Sequence, residues 1–157
     1  MNGHWRFFSG KVVPDLGRAV RDLVGDEDLV LHVGTDSMCR REGTDFASAV
    51  VVVAPGRGGR IFYRCRREPK MSSLAQRLIR EAELSLEVAL HLSALLPQEI
   101  VLHIDANQDL RHRSAKYVQT LAGMGRGYGF QVRLKPDAWC ATHVADHVVK
   151  ERHQRAA

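Results

Sequence analysis

The stretch Leu29-Val30-Leu31-His32-Val33-Gly34-Thr35-Asp36-Ser37 opens with apolar residues and closes on a carboxylate. Near-continuous aliphatic character bounded by small and polar residues reads as a buried strand. The reading places Asp36 where that strand ends. A second run, Ile100-Val101-Leu102-His103-Ile104-Asp105, has the same form and ends in an acid in the same way. In open α/β sheets ligands gather beyond the carboxyl ends of strands, so two such acids on adjacent parallel strands would face one crevice. Taken singly, each Asp is equally explained as the cap of a following turn.

Outward from these runs, Pro14 to Val24 fits a short helix, and Phe46 to Val53 and Ile61 to Arg66 fit two strands joined by the turn Pro55-Gly56-Arg57-Gly58-Gly59. From Ser72 to Leu96 the pattern is a long helix closed by Pro97. A helix from His112 to Met124, a strand from Phe130 to Leu134 and a last helix from Ala141 to Arg152 complete the order. Three antiparallel strands, then alternating helices and strands, predict an α/β fold with a mixed sheet and helices on both faces. No repeat or linker divides the chain, and 157 residues is an ordinary length for one domain.

Projected at about 100° per residue, the long helix puts Leu74, Leu78, Ala82, Val88, Ala89, Leu92 and Leu96 on one face and Gln76, Arg80, Glu83 and Glu87 opposite. Glu81 falls inside the apolar stripe with Ser85. A carboxylate there costs several kcal/mol unless it is protonated, paired or bound to a cation. A divalent cation and a salt bridge to a buried Arg or Lys both answer the need. Asp146 sits at the margin between Val144, Ala145, Val148 and Val149 and the polar side of the last helix, where an i,i+4 pair with Lys150 competes with a role in a site.

The composition is that of a water-soluble globular protein, with 45% hydrophobic and 26% charged residues. A formal charge of +5 makes a polyanion a plausible partner, although the basic residues are scattered. Three cysteines without close pairing indicate neither a disulfide framework nor a zinc ribbon. No stretch reads as a signal peptide or a membrane span, and a cytoplasmic location is expected. Cys140, His143 and His147 lack the spacing that completes a tetrahedral metal set. The glycines from Gly123 to Gly129 end a helix before a strand, the reverse of a phosphate loop.

Taken in order, these acids resemble those of the RNase H-like superfamily. The narrower likeness is to the YkuK-type group of bacterial RNase H-like proteins, carried by His32-Val33-Gly34-Thr35-Asp36-Ser37, Met71-Ser72-Ser73-Leu74 leading to Glu81, His103-Ile104-Asp105, and Gly129-Phe130 through Lys135-Pro136-Asp137 to Ala145-Asp146. It covers residues 29 to 151, within a single domain expected over 1–157. The resemblance implies a five-stranded mixed sheet and a site of Asp36, Glu81, Asp105 and Asp146 holding two Mg²⁺ or Mn²⁺ ions. It also implies a nuclease hydrolysing phosphodiesters of RNA, an RNA–DNA hybrid or another structured nucleic acid. Lys135 is a candidate phosphate contact beside the crevice and His143 a candidate proton shuttle. The alternative is a non-catalytic nucleic-acid-binding or assembly module on the same scaffold.

Overall fold

The computed structural model describes residues 3–156. Its strands are β1 (Trp5–Phe7), β2 (Val12–Val13), β3 (Leu31–Cys39), β4 (Thr44–Ala54), β5 (Gly58–Glu68), β6 (Ile100–Asn107) and β7 (Gln131–Lys135). They form one sheet in the order β2-β1-β5-β4-β3-β6-β7. β3 is antiparallel to β4 and parallel to β6, and β6 is parallel to β7. The helices are α1 (Leu16–Val24), α2 (Leu74–Ser93), α3 (Val118–Gly127) and α4 (Asp146–Ala156). A 3-10 turn, Ala115–Tyr117, precedes α3, and a π-helical segment, Cys140–Ala145, precedes α4.

The mixed sheet with helices on both faces agrees with the sequence expectation, but the described residues hold seven strands rather than five. The two additional strands are three and two residues long, too short for alternation to register. They exist because β1 pairs with β5, with Phe7 tilted against Phe62 at 5.2 Å between ring centroids and the Arg64 guanidinium 4.9 Å from the Trp5 ring. The expected helix from His112 starts only at Val118. Asn107 and Asp109 side chains accept the amides of Asp109 and Arg111, each at 3.0 Å, and turn the backbone before a helix can begin. Ser114 caps no helix; its Oγ accepts the Asn107 amide at 3.0 Å and closes that loop.

α1, α2 and α3 cover one face. Leu16, Val20 and Val24 of α1 and Val88, Ala89 and Leu92 of α2 pack with Leu31, Val33, Ile100 and Leu102. Val118, Leu121 and Ala122 of α3 close over Leu78, Ala82, Ile104 and Leu134. On the opposite face Cys140, Ala145, Val148 and Val149 lie over Ala47, Ala49 and Val51. The small side chains of β4 let the π-helical segment come close, and Gly34 completes the approach. A Cβ built there would stand 2.6 Å from the Ala141 amide nitrogen and 2.9 Å from the Cys140 carbonyl carbon. Because backbone cannot step aside as a side chain can, Gly34→Ala is expected to destabilise the protein by about 3 kcal/mol, the upper range for overpacking. Denaturant unfolding measures this directly, and a stability equal to wild type would contradict the close approach.

Candidate active site

Parallel pairing between β3 and β6 runs from Leu31↔Ile100 to Gly34↔His103 and stops there, although β3 continues to Cys39 and β6 to Asn107. Asp36 and Asp105 each lie two residues beyond this last pair. Neither acid ends its strand, contrary to the sequence expectation. β3 is carried past Asp36 by continued pairing with β4, through Asp36↔Ala47 to Cys39↔Thr44. Period-2 alternation points both carboxylates to the side of Gly34 and His103, the side of the π-helical segment. They therefore flank an opening between two parallel strands at the same level.

Asp146 reaches the same place as the first residue of α4. Its carboxylate and that of Asp105 both act on Asp36. Together with burial, the largest cause, they push the Asp36 carboxyl from 3.8 up to about 7. Glu81 enters from α2 and is only 7% exposed. Burial first, then the charge of Asp36, holds its carboxyl well above the usual range. Its hydrogen-bond partner is Ser37, whose Oγ donates to Glu81 Oε1 at 2.5 Å. Among the described residues no Arg or Lys forms an ion pair with Glu81; the charge of Arg77 acts on it only as the smallest of the influences, so the salt-bridge explanation of that buried acid is not realised.

Ser37 belongs to a polar seam that sequence reasoning did not assemble. Ser85 Oγ donates to Thr35 Oγ1 at 2.8 Å, and Thr35 Oγ1 and Ser48 Oγ are hydrogen-bonded at 2.9 Å. The signal was present in the spacing. Thr35 and Ser37 share one face of β3, and Glu81 and Ser85 are one turn apart on the helix that covers it. The seam leaves Glu81 oriented by a neutral hydroxyl rather than a cation.

Behind the acids, His32 Nδ1 and His103 Nε2 are hydrogen-bonded at 2.9 Å, and the Cys140 amide donates to His103 Nδ1 at 3.3 Å. The indole of Trp139 lies against both imidazoles, with centroids 4.7 and 4.8 Å away. Burial, reinforced by Arg133, lowers His32 to about 4. Burial, then His32 and Arg133, lowers His103 to about 3. Both rings are neutral at pH 7. Since the Cys140 amide occupies His103 Nδ1, the His103 proton is on Nε2 and is donated to His32. This pair joins β3 and β6 to the segment that leads into Asp146, and its closed surroundings make His103 a structural group rather than a proton carrier.

Two lysines contact the acids. Lys135 Nζ lies 2.5 Å from Asp105 Oδ1, and Lys150 Nζ donates to Asp146 Oδ2 at 2.7 Å. The Lys135 contact is an ion pair without hydrogen-bond alignment, which leaves the buried Asp105 Oδ1 with no aligned donor among the described residues. His143 is exposed and hydrogen-bonded to Thr142 Oγ1 at 2.9 Å, and among the described residues it forms no hydrogen bond or ion pair with the four acids. The structure thus gathers Asp36, Glu81, Asp105, Asp146 and Lys135, but leaves His143 apart.

The donor set fits a hard divalent cation chemically: the four acids offer only carboxylate oxygens, and one of them, Asp105 Oδ1, is buried beside Lys135 without an aligned hydrogen-bond donor among the described residues. Among the described residues, no three His, Cys, Asp or Glu side chains stand in an arrangement that would itself hold a metal ion. The acids are adjacent, with lysine ammonium groups on two of them. No helix is long and apolar enough to cross a membrane among the described residues.

In a comparison with protein families, residues 15–150 match the family model described as Ribonuclease H-like. No curated protein and no solved structure matches the chain.

The raised Asp36 pKa has a definite sign. A carboxyl whose folded pKa lies above its unfolded value adds stability at low pH and loses it as pH rises from 3.8 through about 7. In metal-free buffer, Asp36→Asn is therefore expected to match wild type near pH 4 and exceed it at pH 8. The gain at pH 8 should be about 1–3 kcal/mol, or about 3–10 °C in Tm. Thermal unfolding at the two pH values checks this, and a variant less stable than wild type at pH 8 would mean Asp36 is held by favourable contacts.

Proposed function

The chain belongs to the Ribonuclease H-like family, and on that premise we propose that it is a metal-dependent nuclease hydrolysing phosphodiesters of RNA, an RNA–DNA hybrid or another structured nucleic acid. The observation that carries the reading is the pair Asp36 and Asp105 at one level where β3 and β6 cease to pair. An opening between parallel strands with acids on both walls suits a ligand that brings positive charge. The narrower likeness to the YkuK-type group and a cytoplasmic setting belong to the same proposal.

Two Mg²⁺ or Mn²⁺ ions, when bound, would supply Lewis acidity at the phosphoryl oxygens and lower the pKa of an attacking water. Asp36, Asp105, Glu81 and Asp146 would hold the ions. Glu81, held at Oε1 by Ser37, keeps its second oxygen for orienting the water. Asp146 would serve the leaving-group side. Lys135, on β7 beside Asp105, would meet a phosphate as a point charge. His143 remains the candidate to deliver a proton from the solvent side.

One observation favours the second reading, a non-catalytic nucleic-acid-binding or assembly module: the acids do not form a three-ligand set among the described residues. The two readings separate in one experiment. Labelled single-stranded RNA, duplex RNA, RNA–DNA hybrid and DNA are incubated with Mg²⁺ or Mn²⁺ and with wild type or Asp36→Asn protein. The nuclease reading expects cleavage of at least one substrate, reduced about 10²-fold or more in the variant. Equal cleavage by both proteins contradicts the site. Salt-sensitive binding with no cleavage by either identifies the module.

A further inference from the structure

The contacts of Lys135 and Lys150 differ in kind from the protein's structural ion pairs. Asp45, 2% exposed, is clamped by guanidinium groups. Arg67 donates to it at 2.7 and 2.9 Å, and Arg40 at 3.1 Å. Glu68 is gripped in the same forked manner by Arg80, at 2.7 and 2.8 Å. These planar forks fix both oxygens of a carboxylate and are costly to break.

Among the described residues the acids at the crevice carry no such fork. Asp105 and Asp146 each meet one ammonium group, on side chains that are 40% and 59% exposed. A single-point contact holds its ammonium less firmly than a fork holds a guanidinium, and a four-carbon stem lets the ammonium swing into water without moving backbone. The two lysines arrive from separate elements, the end of β7 and the first turns of α4, one on Asp105 and the other on Asp146. Lys150 is held by the charge of Asp36 as well as by its partner Asp146. Repulsion among the acids needs positive charge nearby, and these ammonium groups supply it in a removable form.

We propose that Lys135 and Lys150 are exchangeable counterions of the acid cluster: they neutralise it in the metal-free protein and leave Asp105 and Asp146 when a divalent cation binds. The inference rests on the metal-binding reading of the site. It assigns the lysines a competing role toward the cation, opposite in sign to that of a residue that merely positions the ligands. Once released, both ammonium groups stand beside the carboxylates, where the phosphates of a bound polyanion need counter-charge.

The test is Mn²⁺ binding, followed by electron paramagnetic resonance at pH 8 without nucleic acid, for wild type, Lys135→Gln, Lys150→Gln, the double variant and the charge-conserving Lys135→Arg/Lys150→Arg protein. Thermal unfolding without metal verifies that each is folded. Removing two competing cations is expected to tighten Mn²⁺ binding about three- to tenfold in the double Gln variant, with smaller gains in each single one. The Arg variant should bind no more tightly than wild type. Unchanged affinity in the folded Gln variants would make the contacts ordinary surface pairs, and weaker affinity would make the lysines positioning residues; either overturns the proposal. Absence of Mn²⁺ binding in wild type and variants alike would instead remove the metal-binding reading on which it depends.

Discussion

Strands β3 and β6 stop sharing hydrogen bonds after Gly34 and His103, and the arrangement of charged groups in this protein depends on that separation. Were the ladder to continue, the next residues would lie within a closed sheet and two carboxylates would face each other across it. Instead β3 keeps its antiparallel partner β4 to the end, while β6 bends away through an irregular register with β7 between Ile104 and Asn107. One wall of the opening is therefore held by β4 and the other by β7. The acids stand on supported backbone at the edge of a well-packed sheet.

Packing behind the opening holds it in register with α4. The π-helical segment rests on the bare backbone of Gly34, and its first residue donates an amide to His103. A neutral histidine pair under an indole fills the space that remains. An extra residue in a helical turn re-aims the side chains of the next turn, and π-turns recur where a side chain must be directed. Here the next residue is Asp146, turned toward Asp36. The buried hydroxyls on the opposite face do the equivalent for Glu81. Fully satisfied polar contacts thus support a group of carboxylates that repel one another, the arrangement in which stability is given up locally for a site that can take positive charge.

Much of this was legible in the sequence because the acids interrupt patterns that are otherwise unbroken. Asp36 and Asp105 stand out against aliphatic runs, and Glu81 against a helical stripe, so burial could be read from periodicity alone. That one side of the sheet is parallel followed from the alternation of helix and strand. The first two strands escaped notice since so few residues alternate in them, and pairing with β5 rather than local preference makes them strands. The extension of β3 to Cys39 was hidden because it is set by β4, a long-range partner. The His32–His103–Trp139 cluster was equally hidden: the residues are far apart in sequence, and nothing local distinguishes a buried histidine from a surface one. Asp146 read ambiguously, and the structure keeps both aspects, an i,i+4 contact with Lys150 and proximity to Asp36.

The proposed function requires that divalent cations enter the opening between β3 and β6 and bind Asp36 and Asp105. Anomalous diffraction from crystals soaked in Mn²⁺ tests it most directly. Anomalous peaks are expected in the opening, bonded to oxygens of Asp36 and Asp105, with the ammonium groups of Lys135 and Lys150 turned away. Crystals that take up Mn²⁺ only elsewhere, with both lysines still on their carboxylates, would contradict it.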